Sequence, residues 1–359
     1  MLRSGSMKQE MEWRLLAAAL GLSAISAIAM ASAGATVSAT LIWRHLIWIV
    51  IGILAGLGIW RTDYRRWTDG AGIAYALSLG MLAFVLAAGA TRLGATRWLS
   101  VFGLSLQPSE PAKLSMTWLL ARYLAGQPSP LPRRVFWTSL IFIAPPAVLV
   151  FLQPDLGSAS IFLAIWFGMV WAAGASRRDV AMIGLALLLM LPLGWHFLKD
   201  YQRDRLMAFV NPHADPLGTG YTIIQSTIAI GSGCLWGRGW FSGTQNQLNF
   251  LPERHSDFIF SVIGEEWGWL GCLAVVLLFA LLLLRTLQAA LTASDPQGRL
   301  LAAGLCSWIA YQAFVNMGMV MGIFPVVGVP LPFISYGGSS MVLLWVAIGL
   351  LQSVHRSDR

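Results

Sequence analysis

Ten stretches of the chain are apolar for long enough to cross, or nearly cross, a lipid bilayer, which takes about 20 helical residues. They run over residues 13–33, 40–60, 69–89, 111–125, 135–152, 157–174, 179–198, 258–284, 300–323 and 339–353. The fourth is short and requires Lys113 to lie near a membrane interface. Between the seventh and eighth lies a long loop, 199–257, that contains "TGYTIIQSTIAIGSG" (219–233). That run is too short to cross and too apolar for disorder, so it reads as a re-entrant or interfacial helix. The pattern predicts an all-α polytopic membrane protein: one transmembrane domain over 1–359, about ten spans, and a large loop between spans seven and eight. The first apolar run has no evident small-residue cleavage site and reads as a first span, not a leader.

Composition agrees with the pattern. Only 11% of residues are charged and 57% are hydrophobic, against about 25% charged in soluble domains. The net charge of +8 comes without a basic run or an RNA-binding signature, so it is read as membrane topology and not as a nucleic-acid footprint. Ten spans place both termini on one side. With the termini in the cytoplasm, Arg61, Arg65, Arg66, Arg122, Arg133, Arg134, Arg177, Arg178, Arg285, Arg299 and Arg356 fall at inner ends, and the 199–257 loop is extracytoplasmic. The three cysteines, Cys234, Cys272 and Cys306, offer no disulfide framework, and two of them fall in predicted spans.

That topology places four polar motifs at the outer ends of inward-running spans. They are "RWLSVFGLSLQPSEPAKLS" (97–115), "QPDLGSAS" (153–160), "LPERHSDFIF" (251–260) and "FPVVGVPLPFISYGGSS" (324–340). Each has a plain structural reading. Ser109, Asp155, and Ser256 or Asp257 sit where helix N-caps belong, and the glycines and prolines of the fourth can simply build a broken turn. Taken together the motifs say more. A charge at membrane depth costs roughly 2.5–3.5 kcal/mol, whereas a cap contributes about 1 kcal/mol and needs no charge. Glu110, Lys113, Asp155 and Asp257 converging on one leaflet point to a polar cavity, hence a transport path or an active site.

The motifs "LQPSEPAKL", "QPDLGSA", "GTGYTIIQSTIAIGSG", "LPERHSDFIFSVIGEEWG" and "PLPFISYGGSS" resemble those of the SEDS family (shape, elongation, division and sporulation proteins), in the same order and over nearly the whole chain. "PERHSDFIF", with Arg254, is closer to the RodA branch than to the division-type FtsW branch, where Ala is expected at that position. The resemblance implies ten transmembrane helices in the bacterial cytoplasmic (inner) membrane. It implies a peptidoglycan glycosyltransferase that polymerises lipid II at the outer face, beside a class B penicillin-binding protein and other membrane proteins of the elongation machinery. It also implies that the essential acid of the large loop is Asp257, that Glu110 and Lys113 pair, and that Asp155 is a further important acid. Ser256 stands where Thr is commoner, and Cys234 occupies a usually small position.

Such a reaction joins a sugar hydroxyl to the anomeric carbon of a donor carried on a polyprenyl pyrophosphate. An α donor and a β-1,4 product require one in-line displacement with inversion, and so a general base. Asp257 is the candidate base. Arg203, Arg205, Arg254 and Lys113 are candidates for the pyrophosphate, with Arg best suited to a forked phosphate contact. Gln225 and Ser335 are candidate cavity residues. His255 is a candidate ligand or second base, though an ordinary interfacial histidine is the commoner case. A divalent cation, Mg or Mn, could share the charge, but no His/Asp spacing specifies a site. Glu110 and Lys113, three apart on one helix face, read as a structural pair. Glu265 and Glu266 lie about two turns into span eight and stay unassigned. Two rival functions use the same outline: a flippase or transporter for a lipid-linked precursor, which predicts charge at the midplane and gates on both faces, and a scaffold that only positions a partner enzyme.

Overall fold

All ten apolar stretches are helices in the computed structural model, which describes residues 11–35, 37–88, 90–92, 95–101 and 104–357. The first four stretches are α1 (Trp13–Ala35), α2 (Ala39–Trp60), α4 (Ala71–Ala88) and α5 (Ser109–Ala125), with a short α3 (Tyr64–Asp69) in between. Then come α6 (Arg133–Leu152), α7 (Leu156–Ala172) and α8 (Arg177–Phe197). The last three are α12 (Ile259–Thr292), α13 (Pro296–Val320) and α14 (Gly338–Ser357). Polar residues start several of them. Ser38, Asp63, Asp155, Ser176 and Asp295 each accept a backbone N–H from the first turn. Among the described residues, six helices are long and apolar enough to cross a membrane: α1, α2, α6, α12, α13 and α14.

The bundle is built around α13, which packs on α5, α7 and α12. Some 67% of its apolar window is buried, against 22% for α2, so α13 is central and α2 peripheral. Close helix approach uses small residues, as expected where lipid supplies no hydrophobic drive. A Cβ at Gly349 of α14 would lie 2.2 Å from the Gly56 carbonyl oxygen of α2.

The large loop is structured. It holds α9 (Asp200–Val210), α10 (Tyr221–Ser232) and α11 (Thr244–Gln247). The helix expected over 219–233 is α10, about 18 Å long, and it packs on α12 and α13. One element was not expected. Before α5 the chain forms an antiparallel hairpin ladder, β1 (Ala90–Arg92), β2 (Ala95–Val101) and β3 (Leu104–Leu106), in the order β1-β2-β3. The fold remains predominantly helical.

Span eight also differs. Helix α12 extends to Thr292, beyond the expected 284, and is interrupted at Gly268, with φ 68° and ψ −160°. The break is filled by residues 234–239 of the loop. Trp269 N donates to Cys234 O, while Arg238 N and Gly239 N donate to Glu265 O and Glu266 O, so backbone groups released by the break are paired again. The same loop takes up the two unassigned acids. The Glu265 carboxylate accepts from Thr244 Oγ1 (3.1 Å), Gln245 N (2.8 Å) and Asn246 N (3.2 Å). Glu266 accepts from Asn246 Nδ2 (2.9 Å) and from Ser32 Oγ of α1. Both are buried structural clasps.

A Cβ at Gly268 would lie 2.3 Å from Gly237 N, in a conformation L-residues rarely adopt. Gly268→Ala is therefore predicted to cost about 1–3 kcal/mol, read as a lower melting temperature of the purified protein. Wild-type stability in this variant would show that the break is not a fixed feature.

Candidate active site

The acid-free fourth motif is the hub on which the other three converge. Gln107 N reaches Ser339 Oγ at 3.5 Å. A Cβ at Gly157, in the first turn of α7, would lie 2.6 Å from Val327 O, so only glycine permits this approach. Ser335 Oγ donates to Ser256 O and accepts from Leu331 N at 2.7 Å, and Tyr336 N donates to His255 O at 2.9 Å. Ser335 is thus a buried fastener between motifs three and four and not a cavity group.

Asp257 emerges where these segments meet. It does not cap α12: the cap position is Phe258, and no side chain supplies the bond. The carboxylate has no hydrogen-bond partner among the described residues, and the only capping role realised in motifs one to three is that of Asp155, which accepts from Ser158 N at 3.0 Å. Ser109, expected as a cap, is the first helical residue of α5, after Pro108, and its hydroxyl is buried without a partner. Burial raises the Asp257 pKa to about 6, with Glu253 and Asp155 adding to the rise and Arg205 and Arg97 opposing it. Gly328, with φ +70°, forms the facing wall. A Cβ there would sit 3.4 Å from Asp257 Oδ2 and 4.0 Å from an Arg205 terminal nitrogen.

The cations sort differently from the expectation. Arg205 on α9 borders the same glycine, is exposed, and lies over the Tyr201 ring at 5.7 Å. Arg203 turns away: it donates to Trp195 O (3.1 Å) and His196 O (3.2 Å) at the end of α8 and pairs with Asp200. Arg254 is 5% exposed and donates to Ala33 O at 3.2 Å, tying the loop to α1. Neither is offered to a ligand as the sequence reading had it. The residue that reading missed is Arg97 on β2. Its guanidinium lies 3.6 Å from Asp155 Oδ2 and donates to Gln153 O and Pro154 O, fixing the start of α7, and it acts electrostatically on Asp257. Its position at the head of the first motif was the available signal.

The remaining candidates are peripheral to Asp257. His255 lies 6.0 Å from the Tyr336 ring in a tilted arrangement and 3.9 Å from Glu253, and burial pushes its pKa below the ordinary value, with Glu253 opposing. Gln225 sits half-buried on α10. Among the described residues no three His, Cys, Asp or Glu side chains converge as a metal-holding group.

Glu110 and Lys113 do pair, at 2.7 Å. Lys113 is fully buried within the bundle and lies 4.8 Å from the Trp308 ring of α13. Glu110 Oε2 has no partner among the described residues. Removing one member of a buried pair strands the other charge and costs about 3–5 kcal/mol, while replacing both is far milder. Lys113→Met is predicted to be less stable than the double variant Glu110→Leu/Lys113→Met, measured by thermal unfolding in detergent. The reverse order would contradict mutual pairing.

The family model described as "Cell cycle protein" (FtsW, RodA, SpoVE) matches residues 10–359. Peptidoglycan glycosyltransferase MrdB of Escherichia coli K12 is 42% identical over 316 residues, 87% of this chain and 85% of that protein. Peptidoglycan glycosyltransferase RodA of Treponema pallidum is 31% identical, covering 96% of this chain and 98% of that one. Among solved structures, a chain of a peptidoglycan synthase complex that coordinates polymerization and crosslinking aligns with a TM-score of 0.83 at 34% identity, covering 97% and 98% of the two chains. The rod-shape-determining protein RodA of Thermus thermophilus aligns with a TM-score of 0.73 at 29% identity, covering 97% of both. With its motifs, its bundle and its sequence in agreement along almost its full length, the chain belongs to the FtsW/RodA/SpoVE family of multi-pass membrane proteins.

Proposed function

We propose that this chain, a peptidoglycan glycosyltransferase by family, polymerises lipid II at the outer face of the cytoplasmic membrane, with Asp257 as general base. One observation carries the assignment. Among the described residues the Asp257 carboxylate has no hydrogen-bond partner; it faces Gly328 within the fields of Arg205 and Arg97, with its pKa moved to about 6. A base works best when its pKa lies near the working pH, and a carboxylate committed to a cap or an ion pair would sit far lower.

The step follows from this placement. The acceptor hydroxyl attacks the donor's anomeric carbon as Asp257 takes its proton. The bond to the pyrophosphate breaks on the opposite face, and the polyprenyl pyrophosphate leaves with the electron pair. No separate acid is required for so good a leaving group. Its charge falls to Arg205, which is exposed and forked, with Arg97 adding to the positive field at Asp257. Asp155 holds Arg97 in place and caps α7. Glu110 and Lys113 shape the interior of the bundle. Elongation of the rod-shaped wall is the favoured setting, given the 42% identity to MrdB. The partner favoured is a class B penicillin-binding protein that crosslinks the new strands, in keeping with the synthase complex whose chain this one resembles.

Purified protein given lipid II in detergent is expected to make glycan strands, and Asp257→Asn to make none. The substitution should also stabilise the fold. A pKa raised from 3.8 to about 6 means that ionised Asp257 opposes folding, and the penalty accumulates as pH rises through that window. The melting-temperature gain of Asp257→Asn should thus be absent below pH 3.8, grow up to about pH 6 and stay constant above it. Strand synthesis at a near-normal rate by Asp257→Asn would sink the assignment.

A further inference from the structure

Helix α13 presents Gln312 and Asn316, four residues apart and so on one face, and both are fully buried. Gln312 has an ordinary structural explanation. It accepts from Trp308 Nε1 at 2.7 Å and donates to Pro330 O at 2.9 Å, so both ends of its amide are used. Asn316 differs. Its Nδ2 donates to Val329 O at 2.7 Å and to Asp257 O at 2.9 Å. Its Oδ1 is buried and has no partner among the described residues. Two carbonyl acceptors fix which end of the amide is nitrogen, since the flipped amide would set oxygen against two oxygens.

The two carbonyls belong to opposite walls of the site. Asp257 carries the proposed base. Val329 follows Gly328, whose Cα faces Asp257 Oδ2 closely enough that an added Cβ would be 3.4 Å away. One side chain therefore spans the base and the wall opposite it, at the backbone of each. A purely structural Asn at this depth would be expected to use its oxygen as well, because an unpaired buried acceptor costs stability. Asn316 is placed for its two donors.

We propose that Asn316 is a positioning residue: it sets the separation of Asp257 from the Gly328 wall, and with it the burial of the carboxylate. The claim rests on Asp257 being the base. The charged and titratable groups acting on that carboxylate are Glu253 of its own loop, Arg205 of α9, Asp155 at the start of α7 and Arg97 of β2. Asn316 is uncharged and adds nothing to that field. Asp257 is half-buried, and the loss of Asn316 acts by letting the 257 backbone relax and more water reach the carboxylate, which moves the proton affinity of Asp257 toward that of an ordinary aspartate.

The experiment compares wild type, Asn316→Ala, Asn316→Ser, Gln312→Ala and Asp257→Asn, each monodisperse in detergent, in lipid II polymerisation across pH. A displacement of the order of 1 Å at a reacting group can cost about 100-fold. Asn316→Ala should therefore lose about 100-fold in kcat with KM little changed, and its acid limb should move to lower pH. Asn316→Ser, with one shorter donor, should fall between it and wild type. Gln312→Ala removes a neighbouring bond of the same kind and should leave the acid limb in place. An Asn316→Ala acid limb that stays at the wild-type pH overturns the proposal, as does kcat within twofold of wild type. Failure of both Asn316 variants to fold also overturns it, since the residue would then be a packing element first. An active Asp257→Asn would instead remove the base assignment, which is a separate failure.

Discussion

Between α13 and α14 the chain runs as irregular backbone through residues 321–337, and much of it is buried. Backbone carbonyls cannot be left unpaired inside a membrane bundle, and that requirement organises the site. Asn316 answers Val329 O, Gln312 answers Pro330 O, and Ser26 of α1 donates to Ile334 O at 2.6 Å. Ser335 binds Leu331 N and, through Ser256 O, the loop that carries Asp257. The segment has no acid or base of its own. Its contribution is to hold three charged motifs at fixed distances around Gly328.

Once the segment is fixed, the electrostatics follow. Asp155 can cap α7 and still meet Arg97, because Gly157 lets α7 start directly against Val327. Among the described residues Asp257 is left without a hydrogen bond but within the fields of Arg205 and Arg97. A free carboxylate in such a place is destabilising. The fold tolerates it through the clasps behind it, where Glu265 and Glu266 secure α11 and α1 to the interrupted helix α12.

Much of this was legible in the chain. Runs of apolar residues mark helices reliably because a span must be apolar along its whole length, and the ten stretches and α10 were all found that way. Asp155, Asp257 and the Glu110–Lys113 pair stood out because charge beside a span is costly. What failed was long-range. Arg97 reaches 153–155 across a hairpin whose short strands carry little pattern. Arg203 and Arg254 are spent on the carbonyls of α8 and α1, which no local spacing reveals. Asn316 in an apolar helix reads as ordinary helix contact until its two acceptors are seen. Asp257 sat at a cap position by spacing, yet α12 starts after Phe258.

In the proposed mechanism, proton uptake by Asp257, tuned by its neighbours, governs glycan synthesis. Glu253 raises the Asp257 pKa, so neutralising it should make Asp257 a base at lower pH. The decisive measurement is the pH dependence of lipid II polymerisation by wild type and by Glu253→Gln. The account predicts an acid limb near pH 6 in the wild type that moves to lower pH in the variant. An acid limb that stays in place, or moves upward, while Asp257 remains essential would contradict it.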